Sequence, residues 1–254
     1  MPVKVALRKT SFVDYPGRIS SVLFFPFCNL RCPWCHNRGL VLGEASTSPD
    51  SKRAEDLVDI EEALAHLRKR RSVLGGIVLS GGEPCIWEEL PELIREIKKI
   101  ASPNEGAAFP VKLDTNGTNP TMLEKLFARE ETRPDYIALD LKIAPRRYAE
   151  LTASGKTSGL AEALIQSAAL IRESGIAHEY RTLALPGAFI TGKDIEELAP
   201  LTDDSPWHIR AFRGGNCLDP GWNGMEETEA VAKARSEVLV KTAQQLGKTN
   251  CHYF

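Results

Sequence analysis

Six short, apolar, β-rich runs recur along this chain, each followed by a longer stretch of helical period, and this alternation limits the fold more than any other feature. The runs are Ser20–Phe25, Gly76–Ser80, Val111–Thr115, Tyr136–Leu141, His178–Leu185 and His208–Phe212. Strand-like runs that alternate with helices are the pattern of repeated βα units. Among the helical stretches, Ile60, Leu64 and Leu67 share one face, and Asp59 with Glu62 has the spacing of a capping box. Leu90, Leu93, Ile94, Ile97 and Ile100 form a cleaner stripe, which stops before Ser102-Pro103-Asn104. Further helices are expected over Thr121–Arg129, Leu160–Ser174, Asp194–Leu201 and about 226–246. Six such units predict an α/β fold, an incomplete (β/α)6 barrel of parallel strands related to the TIM barrel. A single domain over residues 1–254 accommodates it, since such barrels often run to this length undivided. The polar, aperiodic segment Gly43–Lys52 is the expected mobile loop.

The loop after the first run carries Cys28, Cys32 and Cys35 in the spacing C-x3-C-x2-C, and the next cysteine is Cys85. Thiolates clustered this tightly point to soft-metal ligation, because one short loop fixes several ligands at once. Three thiolates leave one iron of a 4Fe–4S cube without a protein ligand, open to a small molecule. A structural zinc would close its shell with four donors. His36 adjoins Cys35 and is poorly placed to chelate the same ion. An iron–sulfur electron carrier would also close its ligand shell, so the absent fourth cysteine argues against one. Cys85, Cys217 and Cys251 are scattered and read as buried thiols, although Cys251-His252 could donate to zinc.

The other polar motifs also stand at strand ends. Gly81, Gly82, Glu83 and Pro84 follow the second run, Asp114, Asn116 and Gly117 end the third, and Asp140 and Lys142 end the fourth. Parallel βα barrels gather their sites at that face, so these residues would ring one cavity. The two glycines would let backbone approach a ligand closely, and Pro84 would fix the turn. Asp140 and Lys142 could equally form an ion pair on the barrel rim. Arg181, inside the fifth strand, needs a partner, and an anionic ligand would serve. Alternation puts His208, Arg210 and Phe212 on one face of the last strand, with Arg213 on the other or in the loop.

The segment from Phe27 to Asn37, taken with Ser80-Gly81-Gly82-Glu83-Pro84, resembles the radical S-adenosylmethionine enzymes. Ser11-Phe12-Val13-Asp14-Tyr15-Pro16-Gly17, Leu113-Asp114-Thr115-Asn116-Gly117-Thr118 and Asp140-Leu141-Lys142 extend the resemblance over nearly the whole chain, to the activating proteins of anaerobic ribonucleoside-triphosphate reductase. The resemblance implies a 4Fe–4S cluster on Cys28, Cys32 and Cys35, and S-adenosylmethionine as the second cofactor. It implies reductive cleavage to a 5′-deoxyadenosyl radical, which takes hydrogen from a backbone glycine of a partner, with flavodoxin or ferredoxin as electron donor. Trp34 and His36 would lie near the nucleoside, and Glu83 would accept a hydrogen bond from the methionyl ammonium. Asp114, Asn116 and Asp140 would serve the ribose, Lys142 the methionine carboxylate, and Arg181 an anionic group. The chain departs from its relatives at Phe27, where glycine is usual, at Trp34, where tyrosine is common, and at Cys85, where threonine is common. The alternatives are a pyruvate formate-lyase-like partner or a small substrate such as a pterin or deazapurine precursor.

A net charge of −2 gives no electrostatic case for nucleic acid or an anionic membrane. Val3, Val5 and Leu7 alternate with polar residues, so no long apolar signal region is expected, and no apolar run reaches the ~18–20 residues of a membrane span. The expected setting is the cytosol, where the cysteines would be reduced or metal-bound.

Overall fold

The computed structural model describes residues 4–43, 57–100, 108–152, 159–225 and 227–253. Most of the loop expected over Gly43–Lys52, and Ser102-Pro103-Asn104, lie outside the described residues. In chain order the elements are β1 (Lys4–Tyr15), β2 (Arg18–Phe25), α1 (Arg38–Leu42), β3 (Leu57–Asp59), α2 (Ile60–Arg70) and β4 (Gly76–Gly81). There follow α3 (Leu90–Lys98), β5 (Val111–Thr115), α4 (Pro120–Phe127), β6 (Tyr136–Asp140) and α5 (Leu160–Glu173). The last are β7 (Ala177–Ala184), α6 (Gly192–Leu198), β8 (Trp207–Ala211), α7 (Glu229–Gln245) and β9 (Cys251–Tyr253). All six expected strands form, as β2, β4, β5, β6, β7 and β8. β1 is a further strand and contains Val5 and Leu7 of the alternating start of the chain, whereas β3 and β9 are additions that periodicity did not disclose.

Two helix starts differ from expectation for local reasons. Asp59 stands extended before α2, but its side chain makes no capping bond. It is also the last residue of β3, paired with Lys4, so the expected capping box does not form. A capping box forms instead between Thr191 and Asp194 and starts α6 at Gly192. The last helix begins at Glu229 rather than near 226, because the Thr228 hydroxyl accepts the Val231 N–H and caps it there.

The chain folds into two compact units. The first holds residues up to Asn29, Asn37–Thr115 and Thr121–Ile137, and the second holds Leu30–His36, Asn116–Pro120 and the chain from Ala138. Strand order in the first is β3-β1-β2-β4-β5. β1 is antiparallel to β2, whereas β2, β4 and β5 run parallel, with Ser20–Phe25 opposite Gly76–Gly81. Strand order in the second is β6-β7-β8-β9, and β7, β8 and β9 are parallel. Val22, Leu23, Ile77, Val78, Leu79, Val111 and Leu113 are buried, as near-continuous apolar runs in a parallel sheet require. Leu90, Leu93, Ile94 and Ile97 of α3 are buried as the expected stripe, each worth about 1.5–3 kcal/mol in removal from water. No helix of the described residues is long and apolar enough to cross a membrane.

Within the second unit, Asp194 ties α6 to the turn at 145–151. Its buried carboxylate accepts the Thr191 N–H (2.9 Å), the Thr191 hydroxyl (2.8 Å) and an Arg147 N–H (3.0 Å). Burial opposes the charge on Asp194, but the bonds from Thr191 and Arg147 outweigh it and hold the carboxyl below its usual range. The bound carboxylate therefore stabilises the fold above the ordinary carboxyl pKa of about 4, and that contribution is lost as pH falls through the lower folded value. Asp194→Ala should cost about 2 kcal/mol at neutral pH, from the lost cap and the lost bond from Arg147, whose guanidinium keeps Glu150 and the Phe189 carbonyl. Thermal melts from about pH 3 to 7 should show a flatter acid limb for Asp194→Asn than for the parent; an unchanged limb would show that this carboxylate does not govern acid stability.

Candidate active site

The cysteine loop begins where the β2–β4 ladder ends, and two further backbone bonds carry the pairing past the strands. Gly82 N–H donates to the Phe25 carbonyl (2.8 Å) and Glu83 N–H to the Phe27 carbonyl (2.9 Å), while Phe27 N–H donates to Leu40 O (2.8 Å). A Cβ on Gly82 would lie 1.8 Å from the Phe27 carbonyl oxygen. One on Gly81, whose φ is +120°, would lie 2.3 Å from Phe25 N. The glycines thus admit the chain's own backbone at residues 25–27, the shoulder of the cysteine loop, where approach to a ligand was expected. Phe27 has φ +62°, the left-handed region, which costs a non-glycine residue about 1–2 kcal/mol. The glycine that the resemblance leads one to expect at 27 would suit that conformation, and Phe27 adopts it nonetheless. The Phe27 ring packs on Trp87 with centroids 6.2 Å apart and lies over Gly43.

The later part of the loop belongs to the second unit and is held there by its own bonds. Cys35 N–H donates to Cys32 O (3.0 Å) and closes a turn. Arg31 N–H donates to Leu151 O (2.6 Å), Leu218 N–H to Cys35 O (2.9 Å) and Asp219 N–H to Pro33 O (2.9 Å). Trp34 is buried between Phe189 (5.2 Å, edge-on) and Trp222 (5.5 Å). It packs in an aromatic core within the second unit. His36 is exposed, with Nδ1 3.1 Å from the Gly215 carbonyl and its ring 5.5 Å from that of Phe212. Cys28 and Cys35 are half-buried and Cys32 is buried, and none of the three is in a disulfide. Among the described residues, no three His, Cys, Asp or Glu side chains are drawn round a point as a finished metal cage. The donor set still fits an iron–sulfur group: three thiols outside any disulfide, on one short loop with backbone bonds on either side.

Several of the expected polar site residues are held by partners of their own. Glu83 is 1% exposed; its Oε1 accepts the Cys85 N–H (3.0 Å) and the Thr115 hydroxyl (2.8 Å). It caps the short turn Pro84–Ile86 and ties the end of β4 to the end of β5. Asp114 accepts Lys112 Nζ at 2.5 Å on one oxygen and the Ser80 hydroxyl at 3.0 Å on the other. Lys112, 1% exposed and 5.9 Å from the Tyr136 ring centroid, was not expected at the site, although its place two residues before an acid on a strand was a usable signal. Asn116 Oδ1 accepts the Thr118 N–H (2.9 Å) and hydroxyl (2.6 Å), fixing a turn in which Gly117 has φ +72°. Lys142 Nζ meets Asp140 at 3.2 Å, so the ion pair weighed as an alternative is present. Arg181 Nε donates to the buried Glu179 at 2.8 Å, so its charge already has a protein partner. His208 Nε2 stands 3.7 Å from the same carboxylate, and burial lowers the His208 pKa although Glu179 pulls it the other way. Burial raises the pKa of the Cys85 and Cys217 thiols and pushes Cys251 up to about 12.

Residues 22–199 match the Radical SAM superfamily. This chain belongs to that family. It is a radical S-adenosylmethionine enzyme, and the family's cofactors are a 4Fe–4S cluster and S-adenosylmethionine. A protein of Methanocaldococcus jannaschii that carries the provisional name of a glycyl-radical enzyme activating enzyme is 30% identical over 243 residues, 91% of this chain and 92% of its own. The pyruvate formate-lyase-activating enzyme of Listeria monocytogenes is 30% identical over 145 residues, 55% of this chain and 53% of its own. A radical SAM methyltransferase from Sphaerobacter thermophilus shares the fold, with a TM-score of 0.62 at 17% identity over 96% of this chain and 68% of that one.

The glycine shoulder gives a direct test on this radical SAM enzyme. Gly82→Ala should fail to hold the loop, losing most of the iron taken up on anaerobic reconstitution and about 2 kcal/mol of stability or more. Phe27→Gly should keep its iron and change stability by no more than about 1 kcal/mol, because relief of the backbone offsets lost ring packing. Iron assay and thermal melting of both variants decide it; an alanine at 82 with normal iron would show that the close approach is not needed.

Proposed function

We propose that this enzyme activates an anaerobic ribonucleoside-triphosphate reductase by taking hydrogen from a backbone glycine of that partner. The observation that carries the reading is the 30% identity, along nearly the full length of both chains, to the Methanocaldococcus protein with the activase name. The resemblance of Ser11–Gly17 to reductase activators supports the choice of partner. That segment is the last part of β1 and the Pro16-Gly17 turn into β2; in it the Ser11 hydroxyl donates to Asp14 (2.5 Å) and Arg8 pairs with the same carboxylate (3.1 Å). Phe12 and Val13 stand 75% and 77% exposed there.

In this reading Cys28, Cys32 and Cys35 hold the cluster. With S-adenosylmethionine bound, the cluster supplies a one-electron cleavage that gives methionine and a 5′-deoxyadenosyl radical. The chain's own groups bind and orient. The Gly81-Gly82 shoulder and buried Glu83 set the loop's position. Asp114, steadied by Lys112 and Ser80, and Asn116, fixed by Thr118, serve the ribose. Asp140 and Lys142 meet the cofactor's polar end, Arg181 is kept in place by Glu179, and His36 lies beside the third cysteine. Flavodoxin or ferredoxin supplies the electron. Glycine suits the hydrogen donor because its α-radical is delocalised over two flanking amides and no side chain blocks approach. A second reading, a pyruvate formate-lyase-like partner, is favoured by relatives such as that of Listeria monocytogenes, which match about half of the chain.

Two measurements test these assignments. Alanine at Cys28, Cys32 or Cys35 should abolish uptake of about four irons per chain, whereas alanine at Cys85, Cys217 or Cys251 should leave it intact; equal loss in both sets would refute the ligand assignment. Anaerobic mixing with the reductase, S-adenosylmethionine and a reductant should give a doublet electron-spin signal on the reductase, and deuterium from its glycine α-carbon should appear in 5′-deoxyadenosine. A signal obtained only with a pyruvate formate-lyase-like partner would move the assignment to the second reading.

A further inference from the structure

Between α2 and α3, in the first unit, lies a cavity of about 190 Å3 whose floor is apolar: Phe25, Leu64, Leu90 and Leu93 line it, with the half-exposed Trp87 as one wall. An apolar cavity of ~150 Å3 takes a benzene ring, so this one has room for one large apolar side chain. Its rim is acidic. Glu89, Glu92 and Glu96 follow one another along the start and outer side of α3, and Glu61 stands across from them on α2. Glu92 pairs with Arg95 and Glu96 with Lys99, both on α3 itself. Glu61 and Glu89 have no cation partner among the described residues, so the rim keeps a negative charge that lacks a counterpart.

We infer that this cavity is a docking socket for a protein segment that inserts one large apolar side chain between flanking lysines or arginines. Charge complementarity selects the occupant. A negative rim disfavours nucleic acid and anionic lipid, while an apolar small molecule would gain nothing from the glutamates. Three glutamates spaced over two turns of one helix make a line, which fits an elongated segment with basic residues along it. The socket also reaches the cysteine loop through one side chain. The Trp87 indole N–H donates to the Pro26 carbonyl (3.2 Å), and its ring packs on Phe25 and Phe27, both at 6.2 Å. An occupant resting on Trp87 would therefore stiffen the shoulder two residues before Cys28. The socket is independent of which glycyl-radical enzyme the chain activates.

A designed helical peptide of about 15 residues, leucine on one face and lysine on the other, serves as probe, with a leucine–glutamate peptide of the same pattern as control. Titrated against the full-length protein at low salt and followed by tryptophan fluorescence, the lysine peptide should bind and weaken as salt rises. The double variant E61K/E89K should raise its Kd about tenfold, and Trp87→Phe should remove most of the fluorescence change. A comparison variant, E229K/E237K on α7, should leave the Kd unchanged. Equal binding to the parent and to E61K/E89K, an equal loss with E229K/E237K, or equal binding of the glutamate peptide would overturn the socket. Thermal melts of both double variants confirm that the surfaces compared are folded. None of these readouts depends on iron or on radical formation, so failure here leaves the proposed activity untouched.

Discussion

The contact on which the site depends is a backbone one: the Gly82 peptide lies against the Phe27 carbonyl so closely that a methyl group has no room. Two hydrogen bonds, Gly82 to Phe25 and Glu83 to Phe27, prolong a parallel ladder into what would otherwise be free loop. Loop ordering is costly, about 1–2 kcal/mol per residue, and these bonds offset part of that cost just before the first thiol. Glu83 adds to the effect from beneath, since its buried carboxylate binds the turn that follows and the end of the neighbouring strand. A motif that reads as ligand-binding chemistry is therefore, in its local physics, the footing of the cysteine loop.

Several charges inside the units are paired along one strand, while others, such as Asp194 with Arg147, are paired between elements. Lys112 with Asp114, Asp140 with Lys142 and Glu179 with Arg181 are each two residues apart, on or at the end of a strand, and each pair is in contact. A two-residue step returns a side chain to the same face, so one strand brings both members of the pair to the same place. An isolated buried charge would be several kcal/mol too costly, and a partner two positions away removes most of that penalty without needing another element to arrive first. The pairs leave these faces polar yet nearly neutral. A ligand bound there meets oriented groups in place of a bare field, and its own charges would add to an existing network.

The six cysteines divide by spacing. Cys28, Cys32 and Cys35 share one short loop, whereas Cys85, Cys217 and Cys251 are scattered and buried, and loss of solvent raises the pKa of each of these three thiols. Cys32 is buried as well, so it is the shared loop and not burial that sets the first three apart.

Much of this molecule could be read from its residues in order. The six parallel-type strands, the α3 stripe and the loop thiols all declare themselves through local period or spacing, which the chain carries at short range. β3 and β9 did not, because short edge strands take their order from the strand they pair with, as Cys251–Tyr253 does from β8. The Asp59 capping box failed for a related reason: the residue was already committed to pairing with Lys4. Residue identity likewise named Glu83, Trp34 and Arg181 as important without saying how. Whether a carboxylate faces a ligand or caps a turn, whether an indole is open or lies between Phe189 and Trp222, and which acid answers an arginine are set by distances across the fold. Sequence determined which groups this protein has and roughly where each element ends; only tertiary structure decided which of those groups the protein uses on itself, because that depends on contacts between residues far apart in the chain.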